Sequence, residues 1–324
     1  MALNIYDLNL QLEKFEPFFN FETAHTQTLL GHFIKSPIFT QALSHELVEL
    51  PDGDMMGVKI HHNESPYIVA IFHGLGGDSS SDYMQRTARI ADSLGLSVAL
   101  VEHRGVGLSE GRAVKPYHSG RGDDASNVSL FLRKKFPMKK QIFIGYSLSG
   151  SVLLNLVTGR SGDYLPDYAI VVNAPIVLSR ASAMLQKGFS KLYDFRFYML
   201  LKKIIRRKDP NLKMPLLGTT QLIDKLYTSR NSGFKNEEEY YQTCSTYPHL
   251  NKIKIPTFVL TSEDDPFITF LDYEKADWNL KTHRTFVKHG GHMGYISKKK
   301  IHFFQHRWLD HYIHQVFQQI LKID

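Results

Sequence analysis

The sequence has 324 residues, a net charge of +7 and a single cysteine, Cys244. Hydrophobic residues make up 43% and charged residues 22% of the chain, as in globular proteins, so disordered and fibrous classes are excluded. One thiol forms neither an internal disulfide nor a cysteine-based zinc site. No apolar stretch approaches the roughly 18–20 residues of a membrane helix, and no secretory leader opens the chain, so we expect a cytoplasmic protein.

The positive charge is confined to two places. Eight basic residues form two clusters: Lys202, Lys203, Arg206, Arg207 and Lys208, then Lys298, Lys299 and Lys300. Without them the chain is nearly neutral. A nucleic-acid groove usually needs basic residues interleaved with stacking aromatic residues along a path. Two separate clusters do not form such a path, so we predict that the protein does not bind nucleic acid.

Short apolar segments alternate with helical patterns along the chain. A β-hairpin is predicted where the turn Pro51–Asp54 separates His45–Leu50 from Met56–Ile60. Runs of strand length follow: Tyr67–Phe72, Ser97–Val101, Gln141–Ile144, Tyr168–Val172, Thr257–Leu260 and Thr285–Val287. Apolar residues spaced three or four apart predict helices at Ser81–Leu94, Asp123–Phe136, Ser149–Val157 and His302–Leu321.

This order predicts one α/β domain over residues 1–324. Strands this apolar are buried on both faces, as in a parallel sheet covered by helices. The alternation of strand and helix favours a doubly wound, mostly parallel sheet that the hairpin extends in antiparallel fashion.

The alternation breaks between Pro175 and Ile255, where helical patterns continue without a convincing strand. The interval is too long for a simple crossover. We interpret residues 176–254 as an inserted helical cap above the carboxyl edge of the sheet, where ligands bind in open α/β sheets.

A candidate nucleophile lies between a predicted strand and a predicted helix, in the turn Gly145-Tyr146-Ser147-Leu148-Ser149-Gly150. A serine on such a sharp turn projects its hydroxyl above the sheet, and its neighbours two positions away must be small. Gly145 meets this requirement. Ser149 stands where the G-x-S-x-G pattern has its second glycine. We predict that Ser147 is the nucleophile.

A glycine-rich loop, His73-Gly74-Leu75-Gly76-Gly77, follows the strand Tyr67–Phe72. Acyl transfer needs backbone N–H groups that point at the developing oxyanion, and glycines let the main chain approach closely. We predict that Leu75 and Leu148 supply these donors. Gly74 and Tyr146, the residues before Leu75 and Ser147, are predicted to contact the substrate.

An acid and a histidine follow the last two predicted strands. Asp264-Asp265-Pro266 comes after Thr257–Leu260, and His292 comes after Thr285–Val287. The chain order serine, aspartate, histidine is that of the α/β-hydrolases. His292 would act as the base and Asp265 would orient it. Asp264 remains an alternative acid.

The chain resembles the YheT-like branch of the α/β-hydrolases, which also includes eukaryotic α/β-hydrolase-domain lipases and esterases. The resemblance covers about His25 to Gly294. It rests on these motifs: His25-Thr26-Gln27-Thr28, His73-Gly74-Leu75-Gly76-Gly77, Arg104-Gly105, Tyr117-His118-Ser119-Gly120, Gly145-Tyr146-Ser147-Leu148-Ser149-Gly150, Tyr240-Tyr241, Ser245, Asp264-Asp265-Pro266-Phe267 and Gly290-Gly291-His292-Met293-Gly294.

The resemblance implies a Ser-Asp-His carboxylester hydrolase that needs no metal or other cofactor. Two departures stand out. Ser149 replaces the usual glycine, and Glu102-His103 replaces the usual Asn-Phe before Arg104. The first change lies in the sharp turn around Ser147, and the second precedes a loop that would shape the substrate entrance.

The region 189–208 mixes apolar residues with the first basic cluster. We interpret it as a lid with an apolar face over the pocket and a solvated basic face; the alternative is a peripheral contact with anionic membranes. An apolar lid favours an acyl-chain substrate. The helically spaced histidines near the end of the chain are not predicted to bind a metal.

The sequence thus predicts a serine esterase or lipase-like enzyme that works through an acyl-enzyme. An acyltransferase or thioesterase would use the same residues with another acceptor or substrate. A lipid-binding module with little turnover is the third hypothesis, because a fold does not determine function.

Overall fold

The computed structural model describes residues 5, 8–18, 20–34, 36–301 and 304–323. The strands in this part of the chain are β1 (Ser44–Glu49), β2 (Met55–His61), β3 (Tyr67–Phe72), β4 (Ser97–Glu102), β5 (Lys140–Tyr146), β6 (Tyr168–Val172), β7 (Thr257–Ser262), β8 (Thr282–Val287), β9 (Ile296–Ile301) and β10 (Gln305–Arg307). The α-helices are α1 (Ala24–Phe33), α2 (Asp82–Ser93), α3 (Gly122–Lys135), α4 (Leu148–Val157), α5 (Leu178–Leu185), α6 (Ser190–Lys208), α7 (Thr220–Ile223), α8 (Glu237–Cys244), α9 (Phe270–Lys275) and α10 (Trp308–Ile323).

The main sheet has eight strands in the order β1-β2-β4-β3-β5-β6-β7-β8. The hairpin β1–β2 is antiparallel and joins β4 in antiparallel fashion, whereas β4, β3 and β5 to β8 are parallel. The predicted fold class, a mostly parallel sheet with flanking helices, is confirmed, and so is the predicted hairpin.

The core lies on both faces of the sheet. All six side chains of β3 are buried. Because side chains alternate along a strand, Ile68, Ala70 and Phe72 pack into one apolar cluster while Tyr67, Val69 and Ile71 pack into the other. The first cluster includes side chains of α3 and α4, and the second includes side chains of α2 and α10. A strand without an exposed face explains why these segments read as continuous apolar runs.

The end of the chain differs from the prediction. His302 and Phe303 lie outside the described residues, and Gln305–Arg307 forms β10, which pairs with β9 in antiparallel fashion. The helix begins only at Trp308. The predicted start was wrong because helical spacing of apolar residues does not fix a helix terminus, and pairing with β9 keeps residues 305–307 extended.

Between β6 and β7, where every residue is described, the chain forms helices, turns and loops but no strand. The helices are α5 to α8, together with a π-helical turn at Asp224–Thr228. None of the described helices is both long and apolar enough to cross a membrane.

The parallel strands direct their following loops to a single edge of the sheet. The loops after β3, β5, β7 and β8 carry the predicted oxyanion, nucleophile, acid and base residues. In a parallel sheet these carboxyl ends meet at one edge, which is where a site can form.

Candidate active site

Ser147 lies on the tight turn between β5 and α4. Its backbone angles, φ 52° and ψ −119°, fall in a region that non-glycine residues rarely adopt. The strand and the helix pass so closely that a Cβ on Gly145 would lie 2.5 Å from the carbonyl oxygen of Ser149. A Cβ on Gly150 would lie 2.6 Å from the Cβ of Ala174. The turn therefore needs glycine at both positions, and it presents Ser147 to the wall of a cavity.

A chain of hydrogen bonds runs from Ser147 through His292 to Asp265. His292 Nε2 lies 2.9 Å from Ser147 Oγ, and His292 Nδ1 lies 2.8 Å from Asp265 Oδ2. Asp265 is 4% exposed and also accepts hydrogen bonds from the Asn173 side chain (2.7 Å) and the Phe267 backbone amide (2.8 Å). This geometry allows His292 to take a proton from Ser147 while Asp265 holds the ring in the required tautomer.

Asp264 points elsewhere. It accepts a hydrogen bond from the Gly291 backbone amide at 2.9 Å, and its other oxygen lies 3.8 Å from His289 Nδ1. Burial raises the pKa of the Asp264 carboxyl. Of the two carboxylates that the sequence left open, Asp265 is the one within hydrogen-bond distance of His292, whereas Asp264 holds the loop before it.

The helix α1 holds the His292 loop from the other side. Thr28 Oγ1 accepts a hydrogen bond from the His292 backbone amide at 2.9 Å. The Gln27 side chain binds both the amide (2.7 Å) and the carbonyl oxygen (3.1 Å) of Ile296. A Cβ on Gly291 would lie 2.3 Å from the Ala24 carbonyl oxygen, so α1 fits closely against this loop. The motif His25-Thr26-Gln27-Thr28 gave a signal for these contacts, but sequence reasoning assigned it no role.

Asn173 is a second residue that sequence reasoning missed. It follows β6 with φ 47°, donates to Asp265, and accepts a hydrogen bond from the Tyr295 hydroxyl at 2.7 Å. Its place at the carboxyl end of a parallel strand was the available signal. Asn173 thus links the acid to the buried Tyr295 and fixes the orientation of the carboxylate.

The glycine-rich loop leaves one of its amides available. The Gly74 amide donates to the Tyr83 hydroxyl (2.9 Å), the Gly76 amide to the Tyr117 hydroxyl (3.0 Å), and the Gly77 amide to the Gly74 carbonyl oxygen (3.1 Å). Among the described residues, the Leu75 amide has no such acceptor.

The second predicted donor, Leu148, is the first residue of α4, where backbone amides have no partner within the helix. Leu75 and Leu148 both line the cavity beside Ser147. The two predicted donors therefore lie at the same cavity as the predicted nucleophile.

Of the two residues predicted to contact the substrate, Gly74 lies beside Ser147, whereas the Tyr146 side chain faces away from the cavity. Gly74 lies against the nucleophile, since a Cβ on it would lie 3.3 Å from Ser147 Cβ. Tyr146 was predicted wrongly as a substrate contact: its ring is fully buried, packs against Tyr83 and hydrogen-bonds to Thr87. The alternation of side chains along β5 turns it toward α2, away from the cavity.

Ser149 belongs to a buried network behind the oxyanion loop. Its hydroxyl donates to the His73 carbonyl oxygen and lies 2.7 Å from His103 Nε2. The His103 ring stacks on Tyr117 with a centroid distance of 5.0 Å, and Tyr117 in turn binds the Gly76 amide. Burial lowers the pKa values of both His73 and His103. The two departures from the family pattern, Ser149 and His103, are therefore direct hydrogen-bond partners.

The cavity beside Ser147 has mostly apolar walls. Helices α5 and α6 provide one side, with Leu178, Ala181 and Leu185 from the first helix and Phe197, Leu201 and Ile205 from the second. Phe267 also lines the cavity, with its ring 4.5 Å from the His292 ring and 6.1 Å from the Phe197 ring. The basic cluster of α6 is only partly solvated, because Lys202 is buried and donates to Pro215, and Lys208 lines the cavity.

Arg104, which lines the cavity, is paired with three acids. Buried Arg104 binds Asp124 (2.7 Å), Asp54 (2.7 Å) and Asp52 (2.8 Å). Three carboxylates around one guanidinium fix the loop after β4. Within the described part of the chain, no group of three or more His, Cys, Asp or Glu side chains is placed to hold a metal ion.

Comparisons with known proteins agree with this architecture. Residues 63–289 match the Hydrolase_4 family, described as serine aminopeptidase, S33. YheT of Escherichia coli (strain K12), whose name describes it as a proposed esterase, is 30% identical over 92% of this chain and 91% of its own. Human phospholipase ABHD3 is 24% identical over 84% of this chain and 71% of its own.

The solved structures show the same fold. The Pyrococcus furiosus esterase Pf2001 superposes with a TM-score of 0.59 at 14% identity, covering 88% of this chain and 99% of its own. The extent of the family match and the similarity to YheT along nearly the whole sequence lead to one conclusion: the chain belongs to the Hydrolase_4 family of α/β-hydrolases, in the branch of esterase- and lipase-type enzymes that contains YheT.

Proposed function

We propose that this protein hydrolyses carboxylic esters through a Ser147–His292–Asp265 triad and an acyl-enzyme intermediate. The observation that carries the proposal is the unbroken chain of hydrogen bonds from Ser147 to Asp265 at the wall of an apolar cavity. A serine hydroxyl is a weak nucleophile unless a neighbouring base removes its proton. His292 is that base, and Asp265 stabilises the imidazolium that forms.

The reaction proceeds in two steps. Ser147 Oγ attacks the ester carbonyl, His292 accepts the serine proton, and the Leu75 and Leu148 amides stabilise the tetrahedral oxyanion. His292 then gives the proton to the leaving alcohol, which departs and leaves the acyl-enzyme. A water molecule repeats the sequence and releases the acid. In known enzymes, loss of one oxyanion donor lowers kcat by about 10²–10³-fold.

We further propose that residues 176–254 act as a cap and that α6 forms its lid. The inner face of α6 supports this proposal through Phe197, Leu201 and Ile205, which line the cavity. Walls of this kind suit an acyl chain rather than a sugar or a phosphate ester.

The outer face of α6 carries the residues that a contact with a membrane would use. Leu192, Phe195 and Met199 are exposed along it, followed by exposed basic residues. An apolar and basic surface of this kind suits anionic lipid. Sedimentation with anionic and with zwitterionic vesicles tests this contact; binding to the anionic vesicles that weakens with salt supports it, and the absence of binding refutes it.

Labelling with a fluorophosphonate probe tests the nucleophile. Such a probe reacts with a serine that has a working base and oxyanion site. We expect labelling of the wild type at Ser147, found by peptide mapping, and none in Ser147→Ala. Ser149→Ala is the matched control and should still be labelled. A folded wild-type protein that does not react, or that reacts at another serine, contradicts the proposal.

A further inference from the structure

The cavity that contains Ser147 also has a polar part made by four side chains outside the triad. Ser182 on α5, Asp224 and Thr228 on the π-helical turn, and Tyr241 on α8 all line it. We call this set the Asp224 cluster. None of the hydrogen bonds of its side chains reaches Ser147, His292 or Asp265 within the described part of the chain. The proposed mechanism therefore gives the cluster no role.

Asp224 is unusual because it lies beside a largely apolar cavity without a cation. The Tyr241 hydroxyl lies 2.8 Å from Asp224 Oδ2, and no described Lys, Arg or His forms an ion pair with Asp224. Burial raises the pKa of Asp224 to about 7, and the negative charges of Asp194 and Glu237 act in the same direction. A carboxyl in such surroundings is costly to keep, which makes it a candidate for a functional contact.

The backbone from Asp224 to Thr228 also has an uncommon conformation, a π-helical turn. The Ser229 amide donates to the Asp224 carbonyl oxygen at 2.9 Å, a bond that spans five residues and closes the π-helical turn. Isolated π-turns occur frequently at functional sites. Asp224 and Thr228, four residues apart, both face the cavity from this turn.

The hydrogen-bonding capacity of the cluster indicates what it would bind. Tyr241 has one hydroxyl proton, and its oxygen lies 2.8 Å from Asp224 Oδ2 and 3.2 Å from Ser182 Oγ. If the shorter contact takes that proton, the Ser182 proton stays available. The Tyr241 and Thr228 hydroxyls both bind the Asp224 carboxylate, whose roughly four lone-pair sites leave room for a further donor. A donor and an acceptor side by side match a hydroxyl group, which both accepts and donates. A methyl group in the same place would leave both unsatisfied.

We propose that Asp224, Ser182 and Tyr241 form a subsite that binds a hydroxyl group carried by the substrate chain, remote from the ester carbonyl. This inference rests on the ester hydrolysis proposed above and narrows its substrate class to hydroxylated esters. An apolar path with a polar subsite discriminates strongly, because the polar groups reject a chain that cannot pair with them.

Matched pairs of esters test the subsite. On the acyl side, p-nitrophenyl esters of linear acids that end in a methyl group are compared with their terminally hydroxylated counterparts over a range of lengths. On the alcohol side, acetates of linear alcohols are compared with monoacetates of the corresponding diols. The measured quantity is the ratio of kcat/KM for the hydroxylated and the methyl-ended member of each pair.

In the wild type, we expect the hydroxylated member to be preferred at one or two lengths in one of the two series. Asp224→Leu should lower that ratio about tenfold or more, since a hydrogen bond to a charged or buried group is lost. Ser182→Ala should lower it by a smaller factor. Asp163→Leu, which changes an exposed acid outside the cavity, is the matched control and should keep the wild-type ratio.

The outcomes separate the two proposals. If Asp224→Leu lowers both members of each pair equally, the residue is structural and the subsite is refuted. A ratio that stays near one at every length in both series also refutes it. If no ester is hydrolysed at all, the proposed function fails; calorimetric binding of the hydroxylated and plain acids to wild type and Asp224→Leu then decides the subsite by the same comparison.

Discussion

Ser147 and Ser149 are two residues apart, and each is hydrogen-bonded to a histidine. His292 Nε2 lies 2.9 Å from Ser147 Oγ, and His103 Nε2 lies 2.7 Å from Ser149 Oγ. By distance alone, the Ser149–His103 pair is as well placed for proton transfer as the Ser147–His292 pair. The two pairs differ in what surrounds them: Ser147 and His292 line the cavity, whereas Ser149 and His103 are 0% and 1% exposed and do not.

The two pairs also differ in the group that binds the second ring nitrogen, Nδ1, of the histidine. His292 Nδ1 binds Asp265, but His103 Nδ1 is buried without a hydrogen-bond partner in the described structure. Without an acid, protonation of His103 has no compensation, and burial lowers its pKa. The comparison teaches that a short Ser–His contact does not identify a nucleophile. Access to the cavity and an acid behind the imidazole do.

The largest expected effect separates the two serines. Ser147→Ala should lower kcat/KM for a p-nitrophenyl ester by about 10⁴-fold or more, on the pattern of other triads. Ser149→Ala should lower it by less than about 100-fold, because only the support of the oxyanion loop is lost. Steady-state kinetics on both folded variants measures this. Hydrolysis that survives Ser147→Ala would end the proposed mechanism.

The next effect separates the two carboxylates. Asp265→Asn should lower kcat by roughly 10³–10⁴-fold, since an amide that donates to Nδ1 favours the wrong tautomer of His292. Asp264→Asn removes only a contact to the loop and should cost less than about tenfold. Steady-state kinetics of the two variants measures kcat for each. Equal losses in the two variants would contradict the assignment of Asp265.

A smaller effect probes the Ser149–His103 pair as a support of the oxyanion loop. His103→Phe should lower kcat by about tenfold and leave KM nearly unchanged, because the oxyanion contact strengthens in the transition state. If the two residues act through one hydrogen bond, Ser149→Ala combined with His103→Phe should be little worse than either change alone. Losses that multiply would show that the residues act independently.

The smallest effect concerns stability toward acid. Burial lowers the pKa values of His73, His103 and His118 from the ordinary 6.5, so the unfolded chain binds protons that the folded state excludes. The free energy of unfolding should therefore hold above pH 6.5 and fall below it, by up to about 1.4 kcal/mol per pH unit for each such group.

Chemical denaturation of the wild type and His103→Phe between pH 7.5 and 5 measures this dependence. The variant should lose less stability per pH unit, because it has one buried imidazole fewer. Parallel curves for the two proteins would mean that His103 is protonated equally in the folded and unfolded states.

The sequence predicted the sheet well because its strands are buried on both faces and bounded by turn residues. The continuous runs Tyr67–Phe72 and Tyr168–Val172 match β3 and β6 residue for residue. Short strands with exposed positions were missed: β9 has three exposed lysines in a row, so neither a continuous nor an alternating apolar pattern marks it.

The residues of the candidate site were predictable where a local pattern carries them, and not where long-range contacts do. The turn around Ser147 has a strand before it, a helix after it and glycines that sterics require. The choice between Asp264 and Asp265 depends on which carboxylate faces a histidine 27 residues away, and no local pattern encodes that. Tyr146 was misassigned because adjacency to Ser147 in sequence places its side chain on the opposite face of the strand.

The bond between Thr28 and the His292 backbone joins residues 264 positions apart. On the ribosome, Thr28 is made long before the loop that it holds, so the base cannot be set in place until nearly the whole chain has emerged. Contacts of such long sequence separation form late, after the sheet between them has closed. Under the proposed mechanism, a nascent chain of this protein therefore carries Ser147 without its base until His292, 145 residues later, has emerged and the loop around it has folded.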